Sequence, residues 1–218
     1  TNIALNILGQ DATDAQIFAK QKELGLDQPV FERYLHWLSH AIHGDFGVSW
    51  FNSEPVVSAL LNRLPITLTI VTFAMTFAAI FAITLGTIAA IKGGWIDKSV
   101  QVMAIAGFAI PGFLLAIILV TFLAIRMKLL PATGWVAFAD DPANWGKSLI
   151  LPVTSLVLAT VASAAQQIRS AIKGVMERDF VRTLTSRGIP RREIIIKHIL
   201  RAAAPAGLTV LSLQFVGM

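Results

Sequence analysis

Glu32, His36, His40 and His43 are spaced four, four and three residues apart. On a helix that spacing brings all four to one face, the way a zinc or nickel site is assembled. The same stretch is amphipathic, with Phe31, Tyr34, Leu35, Leu38 and Ile42 supplying its apolar side. We read the histidines as the solvated face of a surface helix and assign no metal. Gly146-Lys147-Ser148 has the closing residues of a phosphate-cradling loop. Such a loop needs another glycine five residues earlier, after a strand. Position 141 is aspartate, so the segment reads as a loop entering a helix. On this reading the chain has no catalytic residues and binds no nucleotide.

The stretch with the most to offer a partner is 179–201, DFVRTLTSRGIPRREIIIKHILR. It sets Arg182, Arg187, Arg191, Arg192, Lys197 and Arg201 against Asp179 and Glu193. Phe180, Val181 and Leu184 can share one side of a short helix. Gly188 can end that helix, because glycine adopts backbone angles other residues resist. Pro190 suits the first turn of the next, which continues through Ile194, Ile195, Ile196, Ile199 and Leu200. The expectation is helix–turn–helix, basic outside and apolar beneath. A DNA-reading helix-turn-helix would need a free domain around it. A solvated loop obeying only the positive-inside rule and a docking element for a cytoplasmic protein stay open at this point.

The elements that must hold this stretch are hydrophobic. Of 218 residues, 55% are hydrophobic and 14% charged, with mean hydropathy +0.68; globular chains average roughly 25% charged. Cysteine is absent, which excludes disulfides, thiolate metal sites and a cysteine nucleophile. Residues 65–91 and 99–125 carry no charge. Each exceeds the ~20 residues that span a bilayer as helix. A third run, 149–168, is charge-free but contains Thr154, Ser155, Thr160, Ser163, Gln166 and Gln167. Such groups are expected to face other helices or a watery cavity. A fourth run begins near Ala202. Pro111-Gly112-Phe113 predicts a kink in the second run. Pro111, Phe113, Ser163, Gln166 and Gln167 are the candidate pathway residues.

Residues 1–64 hold four Lys/Arg and seven Asp/Glu, whereas 173–201 hold eight and three. The positive-inside rule then makes 169–201 and the short loop 92–98 cytoplasmic, and 1–64 and 126–147 external. The external region, 1–64, reads as a helical subdomain. Thr13 with Gln16 fits a capping box, Gly25 a helix stop, Pro29 a start and Gly44 a second stop. Pro55 is expected to open a third, amphipathic piece (Val56, Val57, Leu60, Leu61, Leu64) on the membrane surface, with Pro65 turning the chain inward. The fold class is all-α and polytopic, with 65–218 the transmembrane domain and 172–201 its cytoplasmic loop. A chain that opens on Thr1 and stops at Met218 inside an apolar run is read as a fragment.

The run FVRTLTSRGIPRREIIIKHILRAAAPAGLTVLSLQ resembles the cytoplasmic signature loop of ABC importer permeases, in the dipeptide/oligopeptide/nickel branch. The general signature is Glu-Ala-Ala, three residues, then Gly. Arg182, Thr183 and Leu184 stand in the first three places and Gly188 in the last; Leu184 departs from the usual alanine. ELGLDQPVFERYLHWL, GDFGVSW, RLPITLTI, KGGWIDK and IPGFLLAIILV resemble the same branch, in the same order. The resemblance implies a type I permease fold with one further transmembrane helix before Thr1 and one after Met218. It implies half of a translocation pathway in a bacterial inner membrane. The partners would be a second homologous permease, two ABC ATPase subunits binding ATP-Mg, and an extracytoplasmic solute-binding protein. Glu177, Asp179, Phe180, Val181, Arg182, Thr183, Leu184, Arg187, Gly188, Ile189, Pro190 and Arg191 would form the coupling helix seated on an ATPase. Dipeptide, oligopeptide, nickel chelate and glutathione stay open as cargo. The competing class is an ATP-independent transporter or channel, which would need an ionisable residue at mid-membrane; none of the three complete runs has one. A membrane enzyme would need a clustered nucleophile and base, which the sequence does not offer.

Overall fold

The computed structural model describes residues 3–9 and 11–218, the side chain of Phe108 excepted. It divides into two compact units, one ending at Thr67 and the other running from Leu68 to Met218.

The first unit contains α1 (Ile3–Leu8), α2 (Asp14–Glu23) and α3 (Val30–Ala41). The capping box at α2 is complete: the Gln16 amide donates to Thr13 Oγ1, and the Thr13 amide donates to Gln16 Oε1 at 2.9 Å. Each bond satisfies an amide that the helix leaves orphaned at its start. Pro29 caps α3, and Gly25 and Gly44 take positive φ just beyond the helix ends. One expectation is corrected here. Pro65 does not turn the chain, and 56–64 is not a separate surface piece. Both lie inside one helix, α4 (Val56–Lys92). A proline forfeits one helical hydrogen bond and crowds the preceding turn. Ending a helix at the membrane would expose several more backbone groups, so continuing costs less.

The second unit is built on α7 (Pro142–Met176), which contacts α5 (Gly94–Ala109), α6 (Gly112–Arg126) and the last helix, α9 (Arg191–Gly217). The last seven residues of α6 and residues Ile194–Ile199 of α9 are wound more loosely, as π-helix. α4 meets α7 through a seam of small residues. Ala74, Ala78, Ala82, Ala89 and Ala90 are buried, and Gly86 lies hard against Ala165. Lipid tails are as apolar as leucine, so helices gain from close van der Waals approach rather than from escaping water. α4, α7 and α9 are each long and apolar enough to cross a membrane.

The second apolar run is broken rather than kinked. Ile110 (φ −102°, ψ 115°) and Pro111 (φ −58°, ψ 136°) are extended, and the helices on either side meet at 92°. The residue before a proline is pushed out of the α region, and here a β-branched isoleucine fills that place. The third run is longer than its charge-free stretch, because Asp141 caps α7 ahead of it. Asp141 Oδ1 accepts from the amides of Ala143 and Asn144 at 3.0 and 3.1 Å. Residues 145–148, expected as a loop, therefore lie in the first turns of the helix.

Candidate functional site

Three residues past the end of α7 the chain forms α8 (Asp179–Ser186). Its end is a Schellman turn. Gly188 has φ +76°, its amide donates to Thr185 O at 3.0 Å, and the Ile189 amide reaches back to Leu184 O at 3.3 Å. Leu184 and Ile189, the pair that normally closes this motif with an apolar contact, both pack on the core formed by Ile172, Val175, Ile194 and Ile199. Val181 packs there too. Pro190 then stands as the cap of α9 instead of within its first turn.

This anchoring leaves the other side of α8 bare. Glu177, Asp179, Phe180, Arg182, Thr183, Arg187, Gly188, Pro190 and Arg191 are exposed. Arg182 approaches Asp179 at only 3.8 Å, an exposed pair worth little to the fold. Among the described residues Arg187 and Arg191 make no ion pair, so their charge is available to a partner. Phe180 does not join Val181 and Leu184 on the core side. It stands by a groove of about 800 Å³ lined with Ile196, Lys197, His198, Arg201 and Ala202.

The candidate pathway residues fall on two flanks of α7. Pro111 and Gly112 lie on the side of Ala159, where a Cβ on Gly112 would come 3.3 Å from that of Ala159. Ser163 faces α9, accepting a hydrogen bond from Gln214 Nε2 at 3.1 Å. Gln166 lies one turn on, with its Oε1 buried and lacking a donor. Phe113 and Gln167 are exposed. The structure thus joins Ser163 to α9. A separate cavity of about 890 Å³ opens between α4, α5 and α7; Phe73, Phe77, Phe81, Gly107, Trp145 and Val157 are among its lining residues. None of the five candidates is among them.

In the first unit, His40 Nδ1 lies 2.9 Å from His36 O and His43 Nδ1 lies 2.7 Å from Ser39 O. A carbonyl only accepts, so each Nδ1 carries the proton. The rings of His36 and His40 lie with centroids 4.4 Å apart, tilted by 35°. Among the described residues no group of three or more His, Asp or Glu side chains could hold a metal ion.

Residues 82–218 match the family described as "binding-protein-dependent transport system inner membrane component", and residues 1–71 match that family's N-terminal region. The chain belongs to this family. It has many relatives. It is 34% identical over 208 residues to a Brucella abortus protein named as a peptide transport system permease, covering 95% of this chain and 66% of that one. It is 30% identical over 213 residues to a peptide ABC transporter permease protein of Sinorhizobium fredii, covering 97% and 68%. It is 32% identical over 210 residues to the glutathione transport system permease protein of Escherichia coli K12, covering 96% and 66%. The chain spans about two thirds of the length of these relatives.

In this family member the structure also shows a charged cluster that sequence reasoning missed. Arg169 donates through Nε and Nη2 to the two oxygens of Asp97, the second at 2.7 Å. Lys173 Nζ adds a bond to Asp97 Oδ2 at 2.6 Å. Asp97 is buried, and the Arg169 side chain is only 11% exposed. The cluster holds the start of α5 against the end of α7; the expected 92–98 loop shrinks to Gly93, between α4 and α5. The available signal was a lone aspartate between two spans, with Arg169 and Lys173 four apart at the end of a third. Nothing in the sequence says which basic pair it meets.

Proposed function

We propose that the chain is a transmembrane permease subunit of an ABC importer in a bacterial inner membrane, carrying peptides or a related small solute. It works with a second homologous permease and an extracytoplasmic solute-binding protein. Two ABC ATPase subunits bind and hydrolyse ATP-Mg and drive alternation between outward- and inward-open states. Residues 1–64 form the external subdomain, 65–218 the membrane domain, and 172–201 the cytoplasmic loop. The names of the relatives support peptide cargo, with glutathione as a small tripeptide within the same chemistry.

The observation that carries this reading is α8 with its Schellman turn: a short stiff helix, anchored on one side and bare on the other, joined to α7 through only Glu177 and Arg178. Such a helix transmits displacement rather than absorbing it, and planar guanidinium groups suit carboxylates on a partner surface. Residues Glu177 through Arg191 are the docking element. Pro111, Phe113, Ser163, Gln166 and Gln167 border the pathway.

The test uses the full-length permease reconstituted with its partner subunits. Gly188→Trp is expected to leave membrane insertion intact and abolish ATP-driven uptake. Normal uptake together with normal substrate-stimulated ATPase activity in that variant would refute the docking role. Solute uptake by the permease alone, without nucleotide, would refute the transporter class.

A further inference from the structure

We propose that Asp97 is a positioning residue for the coupling helix: its carboxylate ties α5 to the last two turns of α7 and so fixes the direction in which α8 leaves. The inference rests on the transport reading above, and it comes from four observations. Asp97 stands near the start of α5, and Arg169 and Lys173 stand 72 and 76 residues later, one turn apart on α7. Arg169 presents a two-pronged fork to both carboxylate oxygens, which fixes orientation as well as distance. Lys173 carries the same contact one turn closer to α8, which begins at Asp179. The shared core of Val100, Ile172, Val175, Ile194 and Ile199 lies beside these bonds.

A single tether would still let α5 pivot. A second contact prevents that: a Cβ on Gly107 would meet that of Ala162 at 2.9 Å, so the two helices also touch ten residues further along α5. Ten residues of helix span about 15 Å. Two anchor points that far apart make α5 and α7 move as one body, carrying α8 at one end and the Pro111 break at the other. Without the carboxylate, Arg169 and Lys173 are two like charges one turn apart, the arginine nearly buried and the lysine 35% exposed. They must then separate or draw in water, and the end of α7 loosens where α8 departs.

The experiment uses the full-length permease assembled with its ATPases and binding protein in nanodiscs. Spin labels go on Cys residues introduced at Trp95 and Ser186, both exposed; these 218 residues contain no other cysteine. Because Ser186 lies within the docking element, the distance distribution is read on the labelled permease before assembly, and the solute moved per ATP hydrolysed on the unlabelled complex. Asp97→Asn is expected to assemble, to broaden the distribution, and to lower solute moved per ATP by about tenfold. Asp97→Glu restores the carboxylate and is expected to restore both readouts. Lys173→Met keeps the Arg169 pair and covers the case in which Asp97→Asn fails to assemble; it is expected to broaden the distribution partially and lower the ratio to a lesser degree. An unchanged distribution, or an unchanged ratio with uptake and hydrolysis falling together, would overturn the proposal. If the unsubstituted complex shows no nucleotide-dependent uptake, the transport reading has failed, and the distance measurement alone judges whether Asp97 holds the helices.

Discussion

Gly86 packs tightly against α7, and replacing it with alanine probes that contact directly. The new Cβ would fall 2.7 Å from the carbonyl oxygen of Ala165 and 3.1 Å from both Cβ and Cγ2 of Ile168. Ile168 is buried and Ala165 O is backbone within a helix, so neither can step aside by changing rotamer. The helices must part by a few tenths of an ångström. Overpacking of this kind costs about 1–3 kcal/mol. Alanine also returns about 1 kcal/mol of helix propensity, so an internal control is needed. Gly174, in α7, would place its Cβ in open space. Gly174→Ala therefore receives the propensity gain alone. With roughly 2–4 °C of melting temperature per kcal/mol for a chain of this size, Gly174→Ala should rise by about that amount. Gly86→Ala should melt about 2–12 °C below Gly174→Ala. Thermal unfolding of the purified protein in detergent, followed by size-exclusion chromatography, measures both. A Gly86→Ala protein that melts at or above the Gly174→Ala protein would show that this seam is not tight.

Gly188 holds φ +76° with open space around it. The cost of a substitution there is thus conformational, and asparagine tolerates that angle better than alanine. ATP-driven uptake should fall in the order Gly, Asn, Ala at 188, and equal activity in all three would refute the turn's role. Gln166→Leu removes a buried acceptor that has no donor. It should leave thermal stability unchanged or raise it by about 1–2 kcal/mol, and a clear loss would mean that the oxygen is satisfied. The Asp141 carboxyl is held below its ordinary range chiefly by the Asn144 amide, with help from Ala143. A depressed carboxyl stabilises above its unfolded-state value and loses that contribution as pH falls through the lowered folded value. Acidification below about pH 4 should therefore speed hydrogen exchange at the first turn of α7, and Asp141→Asn should remove that dependence. Thr13→Ala should speed exchange of the Gln16 amide at the start of α2, and unchanged protection would show that the capping box contributes nothing.

The sequence by itself determined the features that depend on local chemistry. Charge-free runs longer than a bilayer is thick must become helices, because lipid offers backbone groups no other partner. Thr13 with Gln16, and Gly188 with its flanking Leu184 and Ile189, announce a helix start and a helix end, because caps involve residues only a few apart. Tertiary structure decided what local chemistry leaves balanced. Pro65, Pro152 and Pro205 lie inside helices, whereas Pro111 separates two. A proline weakens a helix without dictating whether its neighbours will carry it through. The Asp97 cluster was equally out of reach, since its partners lie more than seventy residues away. Which charges share a dry site depends on how the helices stack, and stacking here follows the small-residue surfaces of α4, α5 and α7, a property of the assembled bundle and of no single segment.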